Sequence, residues 1–265
     1  MSFRRTVSML ILLTLGAMHG ANAQEDQQII RDAAEALGML RGPAPRQVMD
    51  PINRALFVGS GRMSEYGPNG NWNEFTLNNF RQDMSYHQPA VRQHIDRVDG
   101  DGNHETLFRV AREDLAWDET APGIEAAPVT DFHVARARIR EIFILPHGFM
   151  TAVVRAEPGQ VDIYSEDDKV FITTMIHGEP AKATLGEDMR PERIEIAFTD
   201  PLLGETTVSA EYSSYVDFNH YLVFFPSKIV KRLGDRVVLD LDVEDHHQGG
   251  YLVWPIPEDV LAAEN

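Results

Sequence analysis

The side chains able to do acid–base or metal chemistry here are histidines and carboxylates, because the 265-residue sequence contains no cysteine. Disulfides, thiolate metal sites and cysteine nucleophiles are thereby excluded. A zinc site needs three or four ligands at one point, commonly supplied at i, i+2 on a strand or i, i+4 on a helix. No two of the chain's histidines have either spacing. His246 and His247 are adjacent, so an extended strand would point them to opposite faces, and at most one would reach a common inward site. The surrounding "EDHHQGG" reads as a solvated loop. His147, in "LPHG", falls where a helix is expected to give way to a strand. It is the candidate acid or base, against a plainer role as an orienting hydrogen-bonding group.

The carboxylates offer less. "DGDGN" places Asp99, Asp101 and Asn103 at alternate positions, like the first ligands of a calcium loop. The glycine such a loop requires is His104 and its closing glutamate is Val110, so a hairpin turn is the better account. "EDD" at 166–168 reads as a second turn. Asp240 and Asp242 share one face of a strand whose other face is apolar, which puts them in water. "VGSGR" is not a nucleophile elbow, no Ser-x-x-Lys pair occurs, and phosphate-loop and dinucleotide fingerprints are absent. The expectation is therefore no metal and no cofactor. A histidine and a carboxylate from distant strands would leave no local signature, so an enzyme is still open.

Arg4 and Arg5 precede an apolar run from Val7 to Met18, and Ala21-Asn22-Ala23 has the small-x-small pattern of a cleavage site. Residues 1–23 are read as a secretory signal peptide and the periplasm as the destination. The run is well short of the roughly 20 residues that span a bilayer, so no transmembrane segment is expected. Cleavage would remove two arginines and no acid, moving the net charge from −17 to −19. Nucleic acid and anionic lipid surfaces are poor partners for such a chain.

Residues 24–265 are read as one domain. Ile29, Ile30, Ala33, Ala34, Leu37 and Leu40 recur at helical spacing before "RGPAPR". A second short helix is expected over 46–54. "TDFHVARARIREIFILPHG" is a third, with Val134, Ala137, Ile139 and Ile142 as its stripe. Elsewhere short alternating or β-branched runs, "FMTAVVRAEPGQVDIYS" among them, are broken by Gly, Pro, Asn and Asp. Ile229, Val237, Leu239, Leu241 and Val243 flank the tight turn "LGDR" and alternate with Lys, Arg and Asp, giving one buried and one wet face. The class is α+β: a large curved antiparallel sheet, or half-barrel, covered by a few helices. Its apolar interior is either filled by side chains or open to a ligand. Phe218, Tyr221, Phe224, Tyr251 and Trp254 are the candidate ligand-binding aromatics.

The stretches "DAAEALGML", "FVGSGRM", "EDLAWD", "ILPHGFMTAV", "DPLLGETTVSAEYSSY" and "FFPSKIVKRLGDRVVLDLDVEDH" carry a resemblance. The chain resembles exported half-barrel proteins of the lipoprotein-carrier and outer-membrane lipoprotein-sorting type (LolA/LolB-like). It is most similar to the domain of that type that precedes some metallo-β-lactamase-type hydrolases. The resemblance implies a concave apolar face that shelters acyl chains or another hydrophobic molecule. The HxHxDH zinc motif of the hydrolase is absent, so its chemistry does not carry over. Three functions follow as expectations. The first is a non-catalytic periplasmic carrier of a lipid or hydrophobic small molecule. The second is a cofactor-independent lyase, isomerase or hydrolase using His147. The third is an envelope-assembly protein that meets a partner through its acidic face or a sheet edge.

Overall fold

The computed structural model describes residues 24–44, 46–67, 70–249 and 254–263. The expected signal peptide and Tyr251 lie outside the described residues. Helix α1 covers residues 24–36. A two-stranded ribbon follows, β1 (Leu40–Arg41) with β2 (Val48–Met49). The first meander contains β3 (Arg54–Tyr66), β4 (Trp72–Ser85), β5 (Ala90–Asp99), β6 (His104–Arg112), β7 (Leu115–Glu119) and β8 (Ala127–Val129). Helices α2 (Phe132–Phe143) and α3 (Pro146–Arg155) come next. The second meander contains β9 (Asp162–Glu166), β10 (Lys169–Ile176), β11 (Glu179–Leu185), β12 (Pro191–Asp200), β13 (Gly204–Val216), β14 (Phe225–Leu233) and β15 (Arg236–Gly249). Helix α4 (Glu258–Ala263) is the last element.

All strands from β3 onward form one antiparallel sheet of 13, in the order β8-β7-β6-β5-β4-β3-β15-β14-β13-β12-β11-β10-β9. The last strand joins the two meanders, since β15 pairs with both β14 and β3. The chain therefore leaves the sheet at one edge, β8, and re-enters at the opposite edge, β9. Helices α2 and α3 make that crossing over the concave side. They touch strands around the whole arc: α2 packs on β5 to β8 and α3 on β10 and β12. Gln82 of β4 donates to the Glu141 carbonyl, and Lys231 of β14 pairs with the Glu141 carboxylate. Two short helices reach so many strands only because the sheet wraps around them. Bulges at Gly59/Gly61, Leu77/Asn79, Val243/Asp245, Lys231/Arg232 and Thr184/Leu185 supply the extra bend and twist.

One continuous apolar core lies inside the curl, formed by α1 (Ile30, Ala33, Ala34), α2 (Ile139, Ile142), α3 (Phe149, Met150) and inward residues of both sheet halves. A separate small cluster of Val110, Trp117 and Val260 is capped by α4 on the other side of β6 and β7. The "LGDR" turn and the half-wet strand at 236–243 are as expected, with Leu239, Leu241 and Val243 buried. Asp240 and Asp242 pair with Lys228. The Asp99 carboxylate accepts from Asp101 N, Asn103 N and Asn103 Nδ2 within the β5–β6 turn. Asp167 and Asp168 have positive φ in the β9–β10 turn.

Four local expectations are corrected. Residues 46–54 are not a helix: β2 pairs with β1, Asp50 N donates to Met39 O, and Pro51 has no amide hydrogen to give a helix. "FMTAVVR" is helical, because Pro146 fits the first turn of α3, and burial of nearly all its residues hides the 3.6-residue period. The buried stripe of α2 uses Ala135, Ile139, Ile142 and Phe143, and Ala137 faces solvent. Lys231, expected on the wet face, turns inward to Glu141.

The α2–α3 corner is built around Gly148, where a Cβ would stand 2.0 Å from Ile142 O and 3.1 Å from Tyr86 Cε1. Neither neighbour is the free end of a flexible chain, so Gly148→Ala is expected to cost at least about 2 kcal/mol by overpacking. Urea unfolding checks this: the midpoint should fall at unchanged m-value.

Candidate functional site

The densest group of unusual polar atoms lies where β15 passes under α3. Leu239, Leu241 and Val243 point inward, so strict alternation would send Asp245 and His247 inward too. The bulge at Val243/Asp245 reverses the phase. His246 enters the core opposite Phe57, while Asp245 and His247 pair in solvent at 2.7 Å. The expected solvated loop is thus the end of a strand. His246 is 2% exposed, and Phe225 stacks on it with centroids 4.2 Å apart and planes at 6°. His147, fully buried on the first turn of α3, lies near-parallel to both: 5.8 Å from the His246 ring and 6.0 Å from Phe225. Phe57 adjoins Phe225 at 5.3 Å.

His147 Nε2 is 3.2 Å from Leu37 O. A carbonyl only accepts, so Nε2 carries the hydrogen and Nδ1 presents a bare lone pair. His147 Nδ1, His246 Nε2 and Thr151 Oγ1 are all buried without a hydrogen-bond partner. Burial pushes the His147 ring down to about 4, and holds His246 well below the usual histidine range, with His147 and His247 adding to the effect. Both rings are therefore neutral at pH 7. His147 lies between two helices, not between a helix and a strand, and its bonded partner is a main-chain carbonyl. Among the described residues no carboxylate completes an acid–base pair with it.

The same carbonyl ties down the end of α1. Leu37 O also accepts from Phe224 N, Ala36 O accepts from Arg190 Nε at 2.8 Å, and Arg41 donates to Gly38 O and Leu40 O. Donors thus gather where a helix leaves carbonyls unpaired and carries partial negative charge. Gly38 has φ +77°, and a Cβ there would lie 1.8 Å from Leu222 O, so the 217–224 loop crosses directly over the helix end.

The candidate aromatics divide between places. Phe218 packs against the main core 6.4 Å from the His246 ring. Phe224 lies beneath the Arg190 guanidinium at 4.3 Å. Tyr221, in the same loop, is 71% exposed. Trp254 is buried far from these three: its carbonyl accepts from Arg112 and its ring lies under Arg92, the register partner of Val110 in the cluster capped by α4. The segment around His246 has the composition of a loop, and neither Thr151 nor Arg190 belongs to a recognisable motif. A bulge has no reliable residue signature, and Arg190 meets α1 across 154 residues.

Among the described residues, a small interior cavity of about 10 Å³ between Phe57, Phe80, Gln82, Glu141 and Lys231 has room for about one water. A larger open groove of about 420 Å³ lies along strands β10 to β13, lined by Thr173, Met175, Lys182, Glu195 and Ala197. Nearer the β3–β4 hairpin, Glu65 is gripped by Arg109 and Arg97. Burial alone would raise its carboxyl, yet the two guanidiniums bring it down to about 2. Among the described residues no helix is long and apolar enough to cross a membrane.

Among solved structures, the chain is similar to a LolA superfamily protein from Nitrosomonas europaea. The two are 11% identical over 88% of this chain and 96% of that one, with a TM-score of 0.37. No family model and no curated protein matches the chain.

A pH dependence follows from the two neutral histidines. Their folded-state values lie below the unfolded value near 6.5, so the unfolded chain binds more protons between pH 6.5 and 4. Their contribution to stability is complete above about pH 6.5 and falls as the pH drops toward 4, by up to about 1.4 kcal/mol per pH unit for each ring. Urea midpoints at pH 7, 6 and 5 measure the slope. His246→Phe should remove about half of it, and an unchanged slope would assign the effect to other groups.

Proposed function

We propose that the chain is an exported binding protein or carrier for a hydrophobic small molecule or lipid. The ligand is taken up between the helical layer and the concave face of the sheet. The observation that carries this reading is the nature of that interface, apolar through its body and polar at its fastenings. Arg138 ties α2 to Val110 O, Trp117 O and Asp118 on one side of the arc, while Arg140 grips Glu179 and Arg136 reaches His177 O on the other. The Arg138 and Arg140 side chains are 11% exposed, and their bonds exchange for water only as the layer lifts and solvent reaches them, at a net cost of about 0.5–1.5 kcal/mol for each hydrogen bond. Apolar contacts exchange for an apolar guest without loss of buried surface. A hydrophobic ligand can therefore stand in for a helix, where a polar one could not.

Sites for small molecules commonly occupy about 300–1,000 Å³, so a cavity of about 10 Å³ must widen to admit one. Opening is part of the reading. Phe218, 6.4 Å from the His246 ring, and Phe224, whose amide bonds Leu37 O, would border the space opened as α2 and α3 lift from the sheet, and the apolar run Val7–Met18 supports export to the periplasm. The enzyme reading is weaker, because His147 is shielded by the end of α1 and among the described residues has no carboxylate partner.

Native mass spectrometry of protein purified gently from the periplasm should reveal a hydrophobic adduct released on denaturation. In parallel, the double variant Arg138→Ala/Arg140→Ala should bind the neutral probe N-phenyl-1-naphthylamine at least threefold faster than wild type. A bare polypeptide mass together with exclusion of the probe by both proteins would sink the carrier reading.

A further inference from the structure

We propose that the polar end of the ligand is an uncharged hydroxyl group, held between α3 and β15 by His147 Nδ1, Thr151 Oγ1 and His246 Nε2. The inference rests on the carrier reading and names the ligand class, an amphiphile with an alcohol head.

A buried polar atom without a partner costs about 1–3 kcal/mol, and native proteins leave few of them. Here three belong to one neighbourhood. His147 and Thr151 are four residues apart, one turn along the same face of α3, and the His246 ring is 5.8 Å from that of His147. An apolar lining of Phe57, Phe225 and Leu37 would have been cheaper with apolar residues in place of these three. The polar atoms make sense as fixed points for a polar guest.

Their chemistry selects the guest. The bond to Leu37 O leaves His147 Nδ1 as an acceptor, which demands a donor. Thr151 and the imidazole of His246 offer both donor and acceptor capacity. A hydroxyl gives its hydrogen to Nδ1 and accepts on its two lone pairs from Thr151 Oγ1 and from His246 Nε2 in its Nε2–H tautomer, so every atom is satisfied. An ether or ester oxygen has no hydrogen to give. A carboxylate would oppose the Nδ1 lone pair, and Arg41, the guanidinium whose charge acts on the His147 ring, is already spent on Gly38 O, Leu40 O and Gln248. A quaternary ammonium would meet no carboxylate there. Burial of either charge unpaired is costly.

The test displaces N-phenyl-1-naphthylamine from the full mature protein with three probes of equal chain length: 1-decanol, 1-methoxydecane and sodium decanoate. Decanol should displace at concentrations at least tenfold lower than the other two. Thr151→Val keeps the shape and deletes an unpartnered hydroxyl, so it should fold at least as well as wild type and reduce decanol's advantage to threefold or less. Equal midpoints for decanol and methoxydecane, or a full tenfold advantage retained by Thr151→Val, would overturn the assignment while leaving the carrier reading intact. If the naphthylamine binds neither wild type nor the Arg138/Arg140 variant and no adduct is found, the carrier reading falls and this one with it.

Discussion

The pairing of β15 with β3 is the constraint on which the rest depends. It joins a meander that ends at residue 129 to one that begins at residue 162, and so turns two sheets into one of 13 strands. Once they are joined, the intervening segment must travel from one edge of the sheet to the other. A flat sheet of that size would be about 58 Å wide at ordinary strand spacing. Helices of 12 and 10 residues placed end to end cover about 33 Å. Curling the sheet around them shortens the route and buries both apolar surfaces, so the architecture satisfies the connection and the hydrophobic effect together.

The bulge within that pairing decides the chemistry of the interior. Had alternation continued past Val243, Asp245 and His247 would face the core, and a carboxylate would need a cation there. The added residue turns those two outward, where they pair with each other, and brings in His246, which can be buried neutral. Its ring is then sandwiched among Phe225, Phe218 and His147, within reach of the donors that fasten α1. A backbone irregularity of one residue thus connects the closure of the sheet to the polar spot beneath α3.

Polar groups elsewhere inside the curl act as ties between distant strands. Gln93 donates to Gln82, Gln82 to the Glu141 carbonyl, and Lys231 to the Glu141 carboxylate, forming a chain from β5 through α2 to β14. Because an unpaired group there would be costly, such a chain specifies where α2 sits more sharply than apolar contacts alone can do. The rim arginines have the opposite character. They are partly exposed and bond to carbonyls and carboxylates that water can also serve, so they fasten the helical layer without making it permanent.

Much of the architecture was legible in the residues. Period-two runs separated by Gly, Asp and Asn turns imply a large antiparallel sheet, and the spacing of Ile30, Ala33, Ala34 and Leu37 implies a helix, because these signals arise from neighbours in sequence. Absence of cysteine removes whole classes of chemistry for the same local reason. Helix α3 escaped notice because burial on all sides erases the amphipathic period. His246, Thr151 and Arg190 carry no such signal because their surroundings come from distant parts of the chain, as the His147–His246 stacking and the Arg190–Ala36 bond across 154 residues illustrate. The amino-acid sequence by itself determined the fold class, the period-two strands, the amphipathic helices and the net charge. Only the tertiary structure decided which histidine is inside, since a bulge shifts the phase of every side chain after it and no local pattern records that shift.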